Sequence, residues 1–147
     1  MANILKDIRT GFYTTLTTGT TDFKTAIKKA IATVDYYRLY YHEAPQVYPG
    51  TTTAIEEPYV VFDILPVEQD RDTACKLYRT TVQFLVASLT VGECENIAGY
   101  ITDLLETATP TFGTYLLVET RREPQIFLGK QDVVYTCIVQ YSIIIQM

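Results

Sequence analysis

The sequence predicts an α+β fold, a two-layer sandwich with helices packed on one face of a four-stranded, mainly antiparallel sheet. Three observations predict it. Apolar residues recur at helical spacing near the start of the chain and again over 93–108, which marks amphipathic helices. They alternate over 133–146, and less cleanly over 77–90, which marks strands. The connections between strand segments are tight or moderate, which favours antiparallel pairing and helices on one side of the sheet. At 147 residues, with 48% hydrophobic and 20% charged residues, residues 1–147 fit a single globular domain and exclude wholesale disorder.

The first helix is expected over 3–17, where Ile4, Leu5, Ile8, Phe12 and Leu16 fall on one stripe and Asn3 can cap the start. A Thr-rich stretch with Gly19 ends it. A second helical segment is expected after Asp22, because Phe23, Ala26, Ile27, Ala30, Ile31 and Val34 form one apolar stripe opposite Lys24, Lys28 and Lys29. From Tyr36 the pattern changes to an aromatic, extended stretch. Residues 43–58 hold three prolines, Gly50 and three consecutive threonines, and read as loop.

The first predicted strand is 59–65, set between Pro58 and Pro66. Residues 66–76 are polar and lie between two strands, so they read as a long hairpin loop. The strand 77–90 carries Val82, Phe84 and Val86 on one face and Arg79, Thr81, Gln83 and Leu85 on the other, as expected of a strand covered fully on one side and partly on the other. The helix 93–108 has Glu93 and Glu95 in its first turn, where the helix dipole favours negative charge. A short strand follows at 115–119, with a continuation past Pro124 to 128, then a turn at 129–132. The last strand, 133–146, has one wholly apolar face made by Val133, Tyr135, Cys137, Val139, Tyr141, Ile143 and Ile145.

Charge narrows the function classes. The net charge is −5, which argues against a general nucleic-acid binder. It is split, with +2 over residues 1–50 and −7 over 51–147, and two parts of opposite sign suit head-to-tail packing between copies. No apolar run is long enough to span a membrane and the start has no signal-peptide pattern, so no membrane partner is expected and synthesis in a reducing cytoplasm is. Cys75, Cys94 and Cys137 are widely spaced, with no CxxC, so neither zinc nor a disulfide framework is indicated.

Catalytic patterns are weak. His42 is the one histidine, and Ser88 and Ser142, the two serines, fall inside predicted strands, so no Ser/His/Asp site is expected. Asp70-Arg71-Asp72 lacks the glycine and terminal glutamate of a calcium loop. No phosphate-binding glycine loop occurs. No catalytic, cofactor or metal residue is therefore assigned. Tyr36, Tyr37, Tyr40 and Tyr41 around Arg38 are of the residue types enriched at protein interfaces. With Glu68, Asp70, Arg71 and Asp72 of the polar loop they form the candidate interface set.

The segment Arg38-Leu39-Tyr40-Tyr41-His42-Glu43-Ala44-Pro45 leads to the strand from Pro58 to Phe62, and a second strand, an amphipathic helix and a final long hairpin follow. In these residues and this order of segments the chain resembles the tail terminator, or tail-completion, family of tailed bacteriophages. The helical segment at 23–34 departs from the family pattern. The resemblance implies a structural, non-enzymatic virion protein without cofactors, assembled in the host cytoplasm and located at the neck. It implies a ring of identical copies, commonly a hexamer, that ends the tail tube, meets the tail tube protein and a neck or connector protein, and lets DNA pass through its lumen. The alternatives are another neck component, such as a head-completion or connector protein, and a small-ligand-binding α+β domain or enzyme.

Overall fold

The structure, a computed structural model, describes residues 4–70, 76–123 and 126–146. In chain order its elements are α1 (Ile4–Thr17), α2 (Asp22–Ile27), β1 (Lys28–Ile31), β2 (Val34–Tyr37), β3 (Leu39–Tyr41), β4 (Tyr59–Ile64), β5 (Glu68–Asp70), β6 (Leu77–Ser88), α3 (Val91–Thr107), β7 (Leu116–Arg122), β8 (Ile126–Gln131) and β9 (Val134–Gln146). The class is α+β, but the sheet differs from the expected four-stranded antiparallel one. It is a mixed sheet of seven strands in the order β3-β4-β6-β9-β7, with β5 also paired to β6 and β8 also paired to β9. β3 and β4 run parallel, because the loop 42–58 returns the chain to the same end of the sheet. β1 and β2 form a separate two-stranded hairpin.

The extra strands came from segments whose signals conflicted. The stripe Phe23 to Val34 is helical only as far as Ile27. Phe23 and Ile27 are wholly buried, whereas Ala30 and Val34 are exposed, so the second half of the stripe does not face the core. Ile31, Thr33 and Val34 are β-branched and suit a strand, and the chain reverses through Ala32 at φ 55°. The polar stretch 66–76 is not all loop either, since Glu68–Asp70 pairs antiparallel with β6, Glu68 opposite Arg79. The predicted turn at 129–132 sits later, at Asp132 and Val133, with Asp132 at φ 55°. Val133 is therefore exposed and not part of the apolar face of the last strand.

The spine of the sheet is the antiparallel pair β6 and β9, in register from Leu77 opposite Gln146 to Ser88 opposite Tyr135. One face of this pair is covered by α1 and α3. Val82, Phe84, Val86, Cys137, Val139, Tyr141, Ile143 and Ile145 are buried there, together with Ile8, Phe12 and Leu16 of α1 and Ile97, Ile101 and Leu105 of α3. Phe12 joins the layers, with its ring 5.8 Å from that of Phe84 and 5.3 Å from that of Phe112. α1 comes so close to the segment after α3 that a Cβ on Gly11 would run into the Thr111 carbonyl oxygen and the Phe112 ring. Thr90 caps α3 by accepting a hydrogen bond from the Glu93 amide, and Thr21 caps α2 in the same way.

Candidate functional site

Among the described residues, three surfaces stand out as candidates for function. The first is the aromatic strip of β2 and β3. Tyr36 donates its hydroxyl to the Pro49 carbonyl at 3.1 Å and its ring lies 5.4 Å from that of Tyr48. Lys24 sits over the Tyr37 ring and Arg9 over the Tyr41 ring, at 4.8 and 5.1 Å. All four tyrosines are half-buried. Loss of hydration on burial pushes the Tyr40 phenol up to about 12, with Tyr48 adding to the effect, so Tyr40 is a neutral hydrogen-bonding group throughout the physiological range.

Arg38, expected among these surface residues, is only 6% exposed. Its Nε donates to the Ile27 carbonyl at 2.9 Å, and its two Nη groups donate to the Glu56 and Lys28 carbonyls at 3.2 and 3.1 Å. The guanidinium thus fastens the end of α2 and the start of β1 to the segment before β4. It is committed to these carbonyls and offers no open plane for a stacked base. Glu68 is exposed beside β6, and Asp70 is the last residue of β5. Arg71 and Asp72 lie outside the described residues.

The second surface is the face of the sheet that none of the described helices covers. Val61, Leu85, Ile138 and Ile144 are half-buried on it, flanked by Gln83 and Gln140, whose side chains hydrogen-bond to each other at 3.1 Å. At one end of this face a concavity of about 490 Å³ is lined by Glu68, Arg79, Glu119, Arg121, Glu123 and Ser142, among others. The edge strand β7 continues the surface, with Leu116 and Val118 more than half exposed. An exposed edge of this kind invites pairing with another chain. Sequence reasoning noted the mixed alternation of 77–90 but did not draw this face as a site; the signal was the run Arg79, Thr81, Gln83, Leu85.

The third surface is electrostatic. α3 carries Glu93, Glu95, Asp103 and Glu106, all exposed, and no basic residue. Lys24 lies on α2, and Lys28 and Lys29 are adjacent in β1, where Lys28 lies 3.5 Å from Asp35 and Lys29 pairs with Glu56. The acidic excess is thus concentrated on α3, whereas Lys28 and Lys29 have carboxylates beside them.

His42 follows β3 at φ 72° and its Nδ1 lies 2.9 Å from Asp63 Oδ1. That hydrogen bond, and then the carboxylate charge, raise the imidazole pKa above its ordinary value. The ring is 74% exposed and no serine joins it: Ser88 is buried and bonds to Glu93, and Ser142 bonds to Glu123. Among the described residues no group of three or more His, Cys, Asp or Glu side chains is placed to hold a metal ion. Among the described residues no helix is long and apolar enough to cross a membrane.

The sequence matches no protein-family model and no curated protein. The fold does have a counterpart. It is similar to a chain in the virion of a native gene transfer agent (GTA) particle, with a TM-score of 0.73 and 12% identity over 100% of both chains. At that identity the likeness is one of fold, and it extends over the full length of both chains.

Proposed function

We propose that this protein is a structural, non-enzymatic virion component that forms a ring at the head-proximal end of a phage tail tube. In this reading the 147 residues act as one tail-terminator-like domain. The ring ends tube growth, joins the tail to the neck, and lets DNA pass through its lumen. The observation that carries the reading is the full-length fold match to a chain of a GTA virion. The order of segments, which resembles that of tail terminators, supports the finer role.

The surfaces suit such an assembly. A closed ring needs two different, complementary surfaces on each copy. In this reading the exposed acidic residues of α3 on one copy meet lysines of α2 and β1 on the next, exchanging their present partners Asp35 and Glu56. The half-buried Tyr36, Tyr37, Tyr40 and Tyr41 supply apolar area with polar tips, the composition of interface cores. The uncovered sheet face and the β7 edge remain for the tail tube protein or the neck protein.

Negative-stain imaging with mass measurement in solution tests the proposal. Rings are expected at low salt, with a mass that is a whole multiple of the subunit. Lys28→Glu is expected to shift the distribution toward monomer, and Glu95→Lys in the same chain to restore rings. Labelled protein found in the neck but apart from the tube end would assign it to another neck component. A monomer at every salt concentration that does not bind purified tails would overturn the reading.

A further inference from the structure

Cys94 and Cys137 are 43 residues apart in sequence and meet inside the core. Cys94 lies in the first turn of α3, and Cys137 lies on the covered face of β9. Both side chains are wholly buried, and neither is in a disulfide. Their sulfurs are 3.4 Å apart, and Cys94 Sγ also lies 3.5 Å from the Val86 carbonyl oxygen. In the reduced form the contact is a thiol hydrogen bond that joins the helix layer to the sheet layer. A disulfide requires the sulfurs to close to about 2.05 Å, a movement of the size that side-chain rotation provides.

We propose that Cys94 and Cys137 are an oxidation site, where a hydroperoxide converts the two thiols into a disulfide that fastens the first turn of α3 to β9. The reaction is balanced by one peroxide. The Cys94 thiolate attacks a peroxide oxygen, the O–O bond breaks, and hydroxide leaves and takes up a proton as water. The Cys137 thiolate then attacks the sulfur of the resulting sulfenic acid. The S–S bond forms, the S–O bond breaks, and the second oxygen leaves as water. Two thiols and one hydrogen peroxide give one disulfide and two waters.

Access comes from the helix end. Val91, Gly92, Glu93 and Glu95 around Cys94 are exposed, so the first turn can open, whereas Cys137 is held in a strand paired on both sides by β6 and β8. Burial raises the Cys94 thiol pKa, so the closed form reacts slowly and the rate follows the opening of the turn. A protein made in a reducing cytoplasm would keep the thiols, and the bond would form after release into an oxidising medium. The proposal does not depend on ring formation.

The test treats the purified full chain with hydrogen peroxide, unfolds it, alkylates free thiols with N-ethylmaleimide and maps the peptides by mass. The expected product carries a Cys94–Cys137 linked peptide, is two hydrogens lighter, and is alkylated at Cys75 alone. Dithiothreitol is expected to reverse the change, and Cys75→Ser to leave it intact. Thr90→Ala, which removes the α3 cap, is expected to speed the reaction by roughly 2- to 30-fold, the factor by which loss of a cap multiplies opening. Three alkylated thiols after treatment, disulfides that involve Cys75, or only over-oxidised sulfur would overturn the proposal. A rate unchanged by Thr90→Ala would overturn the opening step.

Discussion

The two faces of the central sheet are made from the same two strands and have different fates. On β6 and β9, Val82, Phe84, Val86, Cys137, Val139, Tyr141, Ile143 and Ile145 are at most 2% exposed beneath α1 and α3. One residue along, Thr81, Gln83, Leu85, Ile138, Gln140, Ser142 and Ile144 are half-buried, and none of the described helices lies above them. Because side chains alternate along a strand, one sequence writes both faces at once. The covered face holds the fold together through area removed from water. The bare face is free to be shaped by what it touches, and its mixture of apolar and hydrogen-bonding groups resembles an interface more than a solvated surface.

The largest effects should come from the covered face. Ile101 of α3 is wholly buried, so Ile101→Ala should destabilise the isolated subunit by about 2–5 kcal/mol. Leu104, one turn on, is only half-buried and is the weaker probe. Leu85→Ala on the bare face should cost the subunit under about 1 kcal/mol. Denaturant unfolding of the variants measures both, and equal losses would break the distinction between the faces.

Much of this was legible in the sequence, and the failures have physical causes. α1, α3 and β9 were readable because each has a long, regular apolar period, β4 because an apolar run lies between two prolines, and β6 because one of its faces alternates cleanly. The N-terminal third was misread where a helical stripe and β-branched residues overlapped. The β1–β2 hairpin turns at Ala32, and alanine at positive φ gives no turn signal of the kind glycine or asparagine gives. Arg38 was read as an interface residue because arginine and tyrosine are enriched at protein interfaces. Only the fold brings the carbonyls of Ile27, Lys28 and Glu56 around it. The contact between Cys94 and Cys137 is equally invisible in their spacing, since it depends on how α3 lies across β9.

Arg38 provides the next test, because it is a buried charge in a region that otherwise looks like surface. Arg38→Met should cost about 1.5–3 kcal/mol, as the carbonyls it serves lose their charged donor. Arg38→Lys should recover only part of that, since an ammonium cannot serve three separated carbonyls with a planar fork. Thermal unfolding would show the ranking. Full stability in both variants would mean the guanidinium is not holding α2 to the segment before β4.

Gly11 should have an effect of similar or smaller size. Its Cβ has no space against the Thr111 carbonyl and the Phe112 ring, so Gly11→Ala should force α1 away from that segment and cost about 1–3 kcal/mol. Gly99, on the exposed side of α3, has nothing near its Cβ, and Gly99→Ala should be neutral or slightly stabilising through helix propensity. The pair separates packing from propensity within one helical layer. If the two substitutions behaved alike, the close approach of α1 would not be limiting.

The smallest effect belongs to the bare side of the sheet. Asp63 shares its face with Val61, and its carboxylate holds His42 at 2.9 Å. The imidazole pKa in the folded protein is raised, first by that hydrogen bond and then by the carboxylate charge. A raised folded pKa means that the charged histidine favours the folded state. The contribution is fully present below the unfolded value of about 6.5 and is lost as pH rises through the higher folded value. With the ring 74% exposed, solvent screens the pair and the change in stability should be slight. NMR titration of the His42 ring should find a pKa above 6.5 in the native chain. Asp63→Asn should return it toward 6.5, and added salt should move it the same way while leaving the covered core unaffected. A pKa that Asp63→Asn leaves unchanged would show that the pair does not form in solution, and that the bare face carries no fixed charge contact at this point.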